Sequence, residues 1–156
     1  MHGLVTGTPL AAVSVAQVGG GAMTLGVPAA PHAWQLIIVY RGLHCPICKT
    51  YLQKLQDLMP EFHAVGVDVI TLSADSEVKA QSMVDEMGLT LPMGYGLTPA
   101  QMTQLGLYIS GPRTPQEAEA PFAEPAMFVI NGEGVLKMID ISNAPFLRPD
   151  LDQVLR

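Results

Sequence analysis

Two cysteines, Cys45 and Cys48, have the residue type and spacing in this chain that most clearly indicate chemistry. They are the only cysteines among 156 residues, and two residues separate them. A thiol at the start of a helix can be held as a reactive thiolate, because backbone N–H groups and the helix dipole favour negative charge there. A second thiol one turn later can close a disulfide with the first. The spacing therefore predicts redox chemistry, in which Cys45 attacks an external sulfur or oxygen and Cys48 then resolves the adduct.

Three other interpretations of the pair stay open at this point. A structural zinc site normally needs four ligands, and no remaining candidate ligand has a paired spacing: His2, His32, His44 and His63. The thiols could instead be inert, because free cysteines often pack as small apolar side chains. The chain could also be a binding module that has lost catalysis. We expect neither a metal nor another cofactor.

The elements on either side of the pair explain how it would be positioned. Residues 35–41 form a continuous apolar run, which predicts a strand buried on both faces of a central sheet. A helix is predicted from Pro46 to Ala64, with apolar residues on one stripe, a kink at Pro60 and Gly66 as C-cap. This order places Cys45 at the junction of a central strand and an amphipathic helix.

The rest of the chain is predicted to complete one α/β domain over residues 1–156. The other predicted elements are a hairpin over 12–25, a strand over 67–72, a helix from Asp75 or Ser76 to Met87, a short helix over 98–105, a surface loop over 110–124, a hairpin over 126–139 and a final helix over 148–156. Alternation of strands and helices after residue 35 favours a parallel arrangement with right-handed crossovers.

Composition and charge exclude several classes of function. Apolar residues make up 49% of the chain and charged residues 14%, which is a globular composition. The formal charge is −6 and basic residues are few and scattered, so we expect no nucleic-acid partner. No apolar stretch approaches the ~20 residues of a membrane helix, so we expect no membrane partner. No Lys or Arg precedes Arg41, so we expect no secretory signal and a cytoplasmic location, unless a leader was removed.

The segment YRGLHCPICKTYL resembles the active-site segment of peroxiredoxin-like proteins of the AhpC/TSA group, within the thioredoxin-like superfamily. Residues 67–76 and 124–134 resemble the strands and turns that follow in this group, so the likeness covers roughly residues 26–156. It implies a thioredoxin-like α/β sandwich with a central mixed sheet, flanking helices and an N-terminal β-hairpin. It also implies a homodimeric thiol-dependent antioxidant enzyme that reduces a peroxide or a disulfide with a thiol reductant, such as a thioredoxin or glutathione system.

The chain departs from this group at two positions of the site. Peroxiredoxins carry Pro-x-x-x-Thr-x-x-Cys, and counting back from Cys45 the Thr position is Gly42 and the Pro position is Ile38. The hydroxyl that would bind the peroxide oxygen is therefore missing. Those enzymes also place an arginine before the later strand, where Pro125 stands here, and Pro125 resembles the cis-proline of thioredoxins. These departures favour a disulfide reductase, whereas more of the chain resembles the peroxidases.

Several further residues could shape the site or stabilise the thiolate. Arg41 and His44 lie close to the pair in sequence and could lower the pKa of Cys45, and Arg148 could supply the missing cation. Glu124 could accept a proton from the resolving thiol, and the main chain near Gly42 could bind a peroxide. Each has a plainer interpretation: a surface salt bridge for Arg41, an exposed ring for His44, a loop carboxylate for Glu124 and a helix cap for Arg148. Asp75 is interpreted first as a helix cap.

Overall fold

A computed structural model describes residues 4–10, 12–112, 120–144 and 148–155. The strands within these ranges are β1 (Val13–Gln17), β2 (Ala22–Leu25), β3 (Trp34–Val39), β4 (Val67–Leu72), β5 (Met93–Tyr95), β6 (Ile109–Ser110), β7 (Phe122–Ala123), β8 (Ala126–Ile130) and β9 (Leu136–Ile141). The helices are α1 (Pro46–Ala64), α2 (Glu77–Met87), α3 (Pro99–Gln104) and α4 (Leu151–Leu155). His2, the middle of the predicted loop over 110–124 and the last residue of the predicted final helix lie outside the described residues.

Seven strands form one mixed sheet in the order β2-β1-β5-β4-β3-β8-β9. Strand β3 lies inside this sheet, parallel to β4 and antiparallel to β8. The parallel part arises because α1 and α2 return the chain to the same end of the sheet before β4 and β5 begin. The N-terminal strands β1 and β2 pair as an antiparallel hairpin. This architecture confirms the predicted thioredoxin-like α/β sandwich.

Strand β3 separates two hydrophobic cores, because successive side chains of a strand point to opposite faces. Ile37 and Val39 pack into the core that includes the hairpin and α3. Leu36 and Ile38 pack into the core formed with α1, α2 and α4. Burying each of these aliphatic side chains stabilises the folded state by about 1.5–3 kcal/mol relative to leaving it exposed. Packing on both faces therefore fixes the position of β3 and of the residues that follow it.

Helix α1 has the predicted bounds, and Cys45 is its N-cap. The helix ends at Ala64, and Gly66 adopts the left-handed conformation just beyond the C-cap Val65, with φ of 82°. Helix α2 has Ser76 as its N-cap, whose hydroxyl accepts from the backbone N–H of Lys79 at 3.3 Å. The interpretation of Asp75 as a helix cap is therefore wrong, and its carboxylate has another role described below.

The structure differs from the predictions at three other places. Ile109–Ser110 and Phe122–Ala123 pair as a small antiparallel sheet, so the predicted loop begins and ends in strands. Strand β5 was not predicted, because Pro92 and Gly94 give the segment a turn-like composition. The final helix begins at Leu151 rather than at Arg148. Among the described residues, no helix combines the length and apolar character needed to span a membrane.

Candidate active site

The candidate residues meet at one edge of the sheet because of the strand register. Val39, at the end of β3, lies opposite Leu72 at the end of β4 and Ala126 at the start of β8. The loop over 40–45, the turn after β4 and the segment before β8 therefore emerge at the same edge. In sheets with parallel strands, this carboxyl edge is where sites commonly form.

Cys45 caps the first turn of α1. Its Sγ accepts a hydrogen bond from the backbone N–H of Cys48 at 3.2 Å. Its own backbone N–H donates to the carbonyl of Gly42 at 3.2 Å, which closes the loop tightly before the helix begins. Only 2% of Cys45 is exposed. The sulfur thus lies where the N–H groups and the dipole of a 19-residue helix favour a negative charge.

The two thiols have opposite pKa shifts. The pKa of Cys45 is lowered from 9.0 to about 6, mainly because the thiol of Cys48 donates a hydrogen bond to it. The N–H of Cys48, the side chain of Arg41 and the charge of Arg148 lower it further, while burial opposes the shift. The pKa of Cys48 is raised because its proton is held in the bond to Cys45 and because the thiol is buried. At neutral pH the pair is therefore a Cys45 thiolate and a Cys48 thiol.

Arg41 approaches Cys45 from within a buried ion pair. Its Nε lies 3.0 Å from Oε1 of Glu124, and its guanidinium lies 4.9 Å from the centre of the Phe122 ring. Glu124 is 4% exposed, and its Oε2 accepts from the hydroxyl of Ser110 at 2.7 Å. The interpretation of Glu124 as an exposed loop carboxylate is therefore wrong. Its two oxygens contact Arg41 and Ser110, so Glu124 is connected to the cysteine pair through Arg41.

Arg148 approaches the pair from the opposite side and contacts the other sulfur. Its Nη2 donates to Sγ of Cys48 at 2.7 Å. Its guanidinium lies 4.8 Å from the centre of the Tyr51 ring, and the Tyr51 hydroxyl donates to the carbonyl of Pro149 at 2.8 Å. The segment that carries Arg148 is therefore fastened to α1 at the turn following the cysteine pair.

Gly42 occupies a position that no larger residue fits. Its φ of 145° is unfavourable for residues with a side chain, and a Cβ there would lie 2.6 Å from Oδ1 of Asp75. The Oδ2 of Asp75 accepts from the backbone N–H of Leu43 at 2.8 Å. Sequence reasoning missed this role of Asp75. The parallel pairing predicted for the strands over 35–41 and 67–72 could have revealed it, because the turns after both strands must then be adjacent.

The remaining candidates frame the site. The Glu124–Pro125 bond is trans, and among the described residues the cis bond is Ala30–Pro31, so the likeness of Pro125 to the cis-proline of thioredoxins is wrong. Half-buried His44 packs its ring 4.7 Å from that of Phe122. Pro46 occupies the first position of α1, where its missing N–H costs nothing.

The side chains around the pair also bear on metal binding. Within the parts of the chain that the structure describes, no three or more His, Cys, Asp or Glu side chains are grouped to hold a metal ion. His32 and His63, which the sequence left as isolated candidates, stack on each other with ring centres 4.5 Å apart. Neither ring belongs to the cysteine site.

Two cavities border the cysteine loop. One of about 440 Å³ runs along the exposed side of α1, and its lining includes Ile47, Tyr51 and Arg148. Ile47, which lies between the two cysteines, is 47% exposed. The other cavity, of about 180 Å³, has His44 and Phe122 in its lining. Each cavity is thus lined by a residue next to a cysteine, Ile47 in the first and His44 in the second.

Comparisons with known structures agree with the fold. The chain superposes on a peroxiredoxin-like protein from Aquifex aeolicus with a TM-score of 0.79 and 20% identity, over 99% of this chain and 86% of that one. Peroxiredoxin 6 of Arenicola marina gives a TM-score of 0.78 and 18% identity, over 99% of this chain and 71% of that one. A putative thioredoxin reductase from Burkholderia cenocepacia gives a TM-score of 0.80 and 17% identity, over 99% of this chain and 97% of that one. At these identities the likeness establishes the fold alone.

A comparison with sequence families reaches further. No curated protein matches the sequence significantly. The sequence model of the AhpC/TSA family, however, matches residues 8–139, which is most of the chain. Membership of that family indicates a thiol-dependent redox function with a peroxide substrate and a thiol reductant. With a matching fold and a thiolate at the start of α1, the chain belongs to the AhpC/TSA family.

Proposed function

We propose that this protein is a thiol peroxidase in which Cys45 is the nucleophile and Cys48 the resolving thiol. The observation that carries the proposal is the asymmetry of the pair. Sγ of Cys45 accepts the N–H of Cys48 at 3.2 Å and has its pKa lowered to about 6, while Cys48 keeps its proton. A thiolate of this kind is the nucleophile that thiol peroxidases need.

The proposed cycle has three steps. The Cys45 thiolate attacks one oxygen of a hydroperoxide, the O–O bond breaks, an alcohol or water leaves after protonation, and a sulfenic acid forms on Cys45. The sulfur of Cys48 then attacks Cys45, an S–S bond replaces the S–O bond, and the hydroxyl group leaves as water with the proton of Cys48. A thiol reductant, such as a thioredoxin or glutathione system in the cytoplasm, finally restores both thiols by exchange.

A peroxide fits the surroundings of Cys45 better than a protein disulfide. With 2% of Cys45 exposed, a small hydroperoxide can reach the sulfur with less rearrangement than an extended disulfide substrate. The guanidinium of Arg41 lies on the Cys45 side of the pair and can stabilise the negative charge that develops on the leaving oxygen. The trans bond before Pro125 also removes one feature that thioredoxins share.

A thiol–disulfide reductase is the second candidate, favoured by the surroundings of Gly42. The place of the peroxide-binding hydroxyl in the family is filled here by the carboxylate of Asp75, 2.6 Å from where a Cβ at position 42 would be. In that case Cys45 would form a mixed disulfide with the substrate, and Cys48 would release the reduced substrate thiol. The chemistry of Cys48 is the same in both candidates.

Parallel assays of one preparation would test the proposal. We expect turnover with hydrogen peroxide or an organic hydroperoxide, little reduction of insulin disulfides, and loss of activity in Cys45→Ser. In Cys48→Ser, dimedone should label a sulfenic acid on Cys45, as mass spectrometry can show. Peroxidase activity retained by Cys45→Ser would refute the mechanism, and insulin reduction without peroxidase activity would select the second candidate. Light scattering would test the homodimer, which forms part of the same proposal.

A further inference from the structure

The positive charge of Arg148 lies next to Cys48, the proposed resolving cysteine, and not next to the proposed nucleophile Cys45. Its Nη2 lies 2.7 Å from Sγ of Cys48, and that contact joins residues one hundred positions apart. The other two guanidinium nitrogens are buried and have no hydrogen-bond partner among the described residues. Arg148 also makes no ion pair within those residues, whereas Arg41 is paired with Glu124. The guanidinium of Arg148 therefore contacts Cys48 directly, and Asp140 and Asp150, two described residues that line cavities beside it, form no ion pair with it.

In the resting site this cation acts on a thiol that stays protonated. The Cys45 thiolate accepts a hydrogen bond from the Cys48 thiol, and that bond outweighs the attraction of Arg148 for a Cys48 thiolate. Once Cys45 has reacted, its sulfur is a neutral sulfenic acid or mixed disulfide, and the anion that held the proton has gone. Arg148 and the backbone N–H of Arg41 then remain as the groups that favour a thiolate on Cys48.

We propose that Arg148 is the catalytic cation of the resolving step, which stabilises the Cys48 thiolate only after Cys45 has been oxidised. This inference rests on the proposed order of attack, but it holds for a peroxide or a disulfide substrate. In both cases the Cys48 sulfur forms the S–S bond to Cys45 and the bond from Cys45 to the departing oxygen or sulfur breaks. The proton of Cys48 leaves with that group.

Other titratable groups also face this contact. The phenol of Tyr40 on the sheet side interacts with Cys48, and Tyr51 of α1 lies beneath Arg148. Asp140 of β9 lines the small cavity that also includes Tyr51 and Arg148. Burial raises the pKa of both tyrosines, so both stay neutral near neutral pH. Arg148 is therefore the cation in contact with Cys48 among the described side chains.

Single-turnover oxidation by dithiodipyridine separates the two steps in the full chain. The first pyridinethione is released when the Cys45 thiolate attacks the reagent, so the rate of this release depends on the reagent concentration. The second pyridinethione is released when Cys48 closes the disulfide, and the rate of this release does not depend on the reagent concentration. We expect Arg148→Met to slow the second release about ten-fold or more, the effect of losing a charged hydrogen bond to a thiolate. The first release should change by less than about three-fold, because the other groups that lower the pKa of Cys45 remain.

A pH profile and two matched variants exclude a merely structural role. In Arg148→Met the pH midpoint of the second release should move upward by about one unit, because an adjacent cation has been removed. Arg148→Lys should restore part of the rate. Asp152→Asn breaks the 2.9 Å pair with Lys54 that ties the same segment to α1, and should leave both releases unchanged. Circular dichroism would show that the variants are folded.

The outcomes distinguish this inference from the proposed function. If Cys45→Ser still gives the first release with normal kinetics, the proposed function fails whatever Arg148 does. If wild-type protein gives both releases and Arg148→Met slows neither, or slows both equally, the role assigned to Arg148 is overturned. If Arg148→Met unfolds, Arg148→Gln takes its place as the neutral polar variant, and a second release of wild-type rate and pH midpoint in Arg148→Gln would overturn the role assigned to the charge.

Discussion

Cys45 and Cys48 lie one helical turn apart, yet their environments are built from different parts of the chain. Cys45 is stabilised mainly by local groups: the thiol and the N–H of Cys48, and Arg41, four residues earlier, with a smaller contribution from the charge of Arg148. Cys48 receives its cation from Arg148, one hundred residues away. A short sequence segment therefore supplies most of what stabilises the proposed nucleophile, whereas the environment of the proposed resolving thiol depends on the complete fold.

The largest expected difference between the two cysteines is their rate of alkylation. Near pH 7 Cys45 is mostly thiolate and Cys48 mostly thiol, so iodoacetamide should modify Cys45 at least about a hundred-fold faster. Peptide mapping by mass spectrometry after short exposures would measure the ratio.

The same reaction in a denaturant serves as its control. Unfolding removes both the helix N-terminus and Arg148, so the two thiols should then react at similar rates. Equal rates in the folded protein would contradict the assigned asymmetry.

The second prediction concerns the loop that holds Cys45. Gly42→Thr would restore the residue that the family carries, but we expect it to lower peroxidase activity by about ten-fold or more, since a misplaced reacting group costs that much. The positive φ and the 2.6 Å approach to Asp75 would force the loop to move. Steady-state kinetics measure the loss. Gly88→Thr at the end of α2, where φ is also positive and no atom lies within 4 Å of an added Cβ, provides the matched glycine control outside the site.

Increased activity in Gly42→Thr would show that the loop adapts and that the missing hydroxyl limits the rate. The thermal midpoint separates the two effects. A strained backbone of this kind costs of order 1–3 kcal/mol, so the variant should melt several degrees lower.

Local residues of the site could be predicted from the sequence, and the long-range contacts could not. Cys-Pro-Ile-Cys after a continuous apolar run placed the nucleophile at the start of α1, because strand length, the proline and the helical stripe are all local signals. The partners of Arg41 and Arg148 depend on the register of β8 and on the path after β9. No local pattern shows that Glu124 is buried against Arg41, or that Arg148 returns to Cys48.

Asp75 illustrates the same limit at a shorter range. Its position before a helix is typical of a cap, and the neighbouring Ser76 takes that role instead. The carboxylate contacts Leu43 only because β3 and β4 end side by side. Strands as short as β6, with two residues, lack enough sequence pattern to be recognised.

A third, smaller effect concerns the pH dependence of the nucleophile. The alkylation rate of Cys45 should rise through about pH 6 and level off near neutrality. Arg41→Met should move this midpoint upward by about one unit, because a cation that hydrogen-bonds to the thiolate has been removed. An unchanged midpoint would show that the helix start and Cys48 suffice.

The same shift links pH to stability. The pKa of Cys45 is lower in the folded chain than its ordinary value of 9.0, so its ionisation stabilises the fold fully above pH 9.0. That contribution declines below pH 9.0 and is lost as the pH falls through about 6. Chemical denaturation across this pH range would measure the free energy of unfolding of the wild-type and Cys45→Ala proteins. The difference between the two free energies should shrink as the pH falls.

The smallest effect distinguishes the two ways in which Glu124 can act on Cys45. If it acts by holding Arg41, Glu124→Gln should raise the pH midpoint of alkylation by a few tenths of a unit, because a neutral amide attracts the guanidinium less strongly than a carboxylate does. The rise should be smaller than in Arg41→Met, because the cation itself is still present. If it acted instead as a nearby negative charge, its neutralisation would lower the midpoint. We expect the upward shift, because both carboxylate oxygens already bind Arg41 and Ser110. Ser110→Ala, which loosens the carboxylate but keeps its charge, should move the midpoint in the same direction by less, and a downward shift in Glu124→Gln would refute the positioning role.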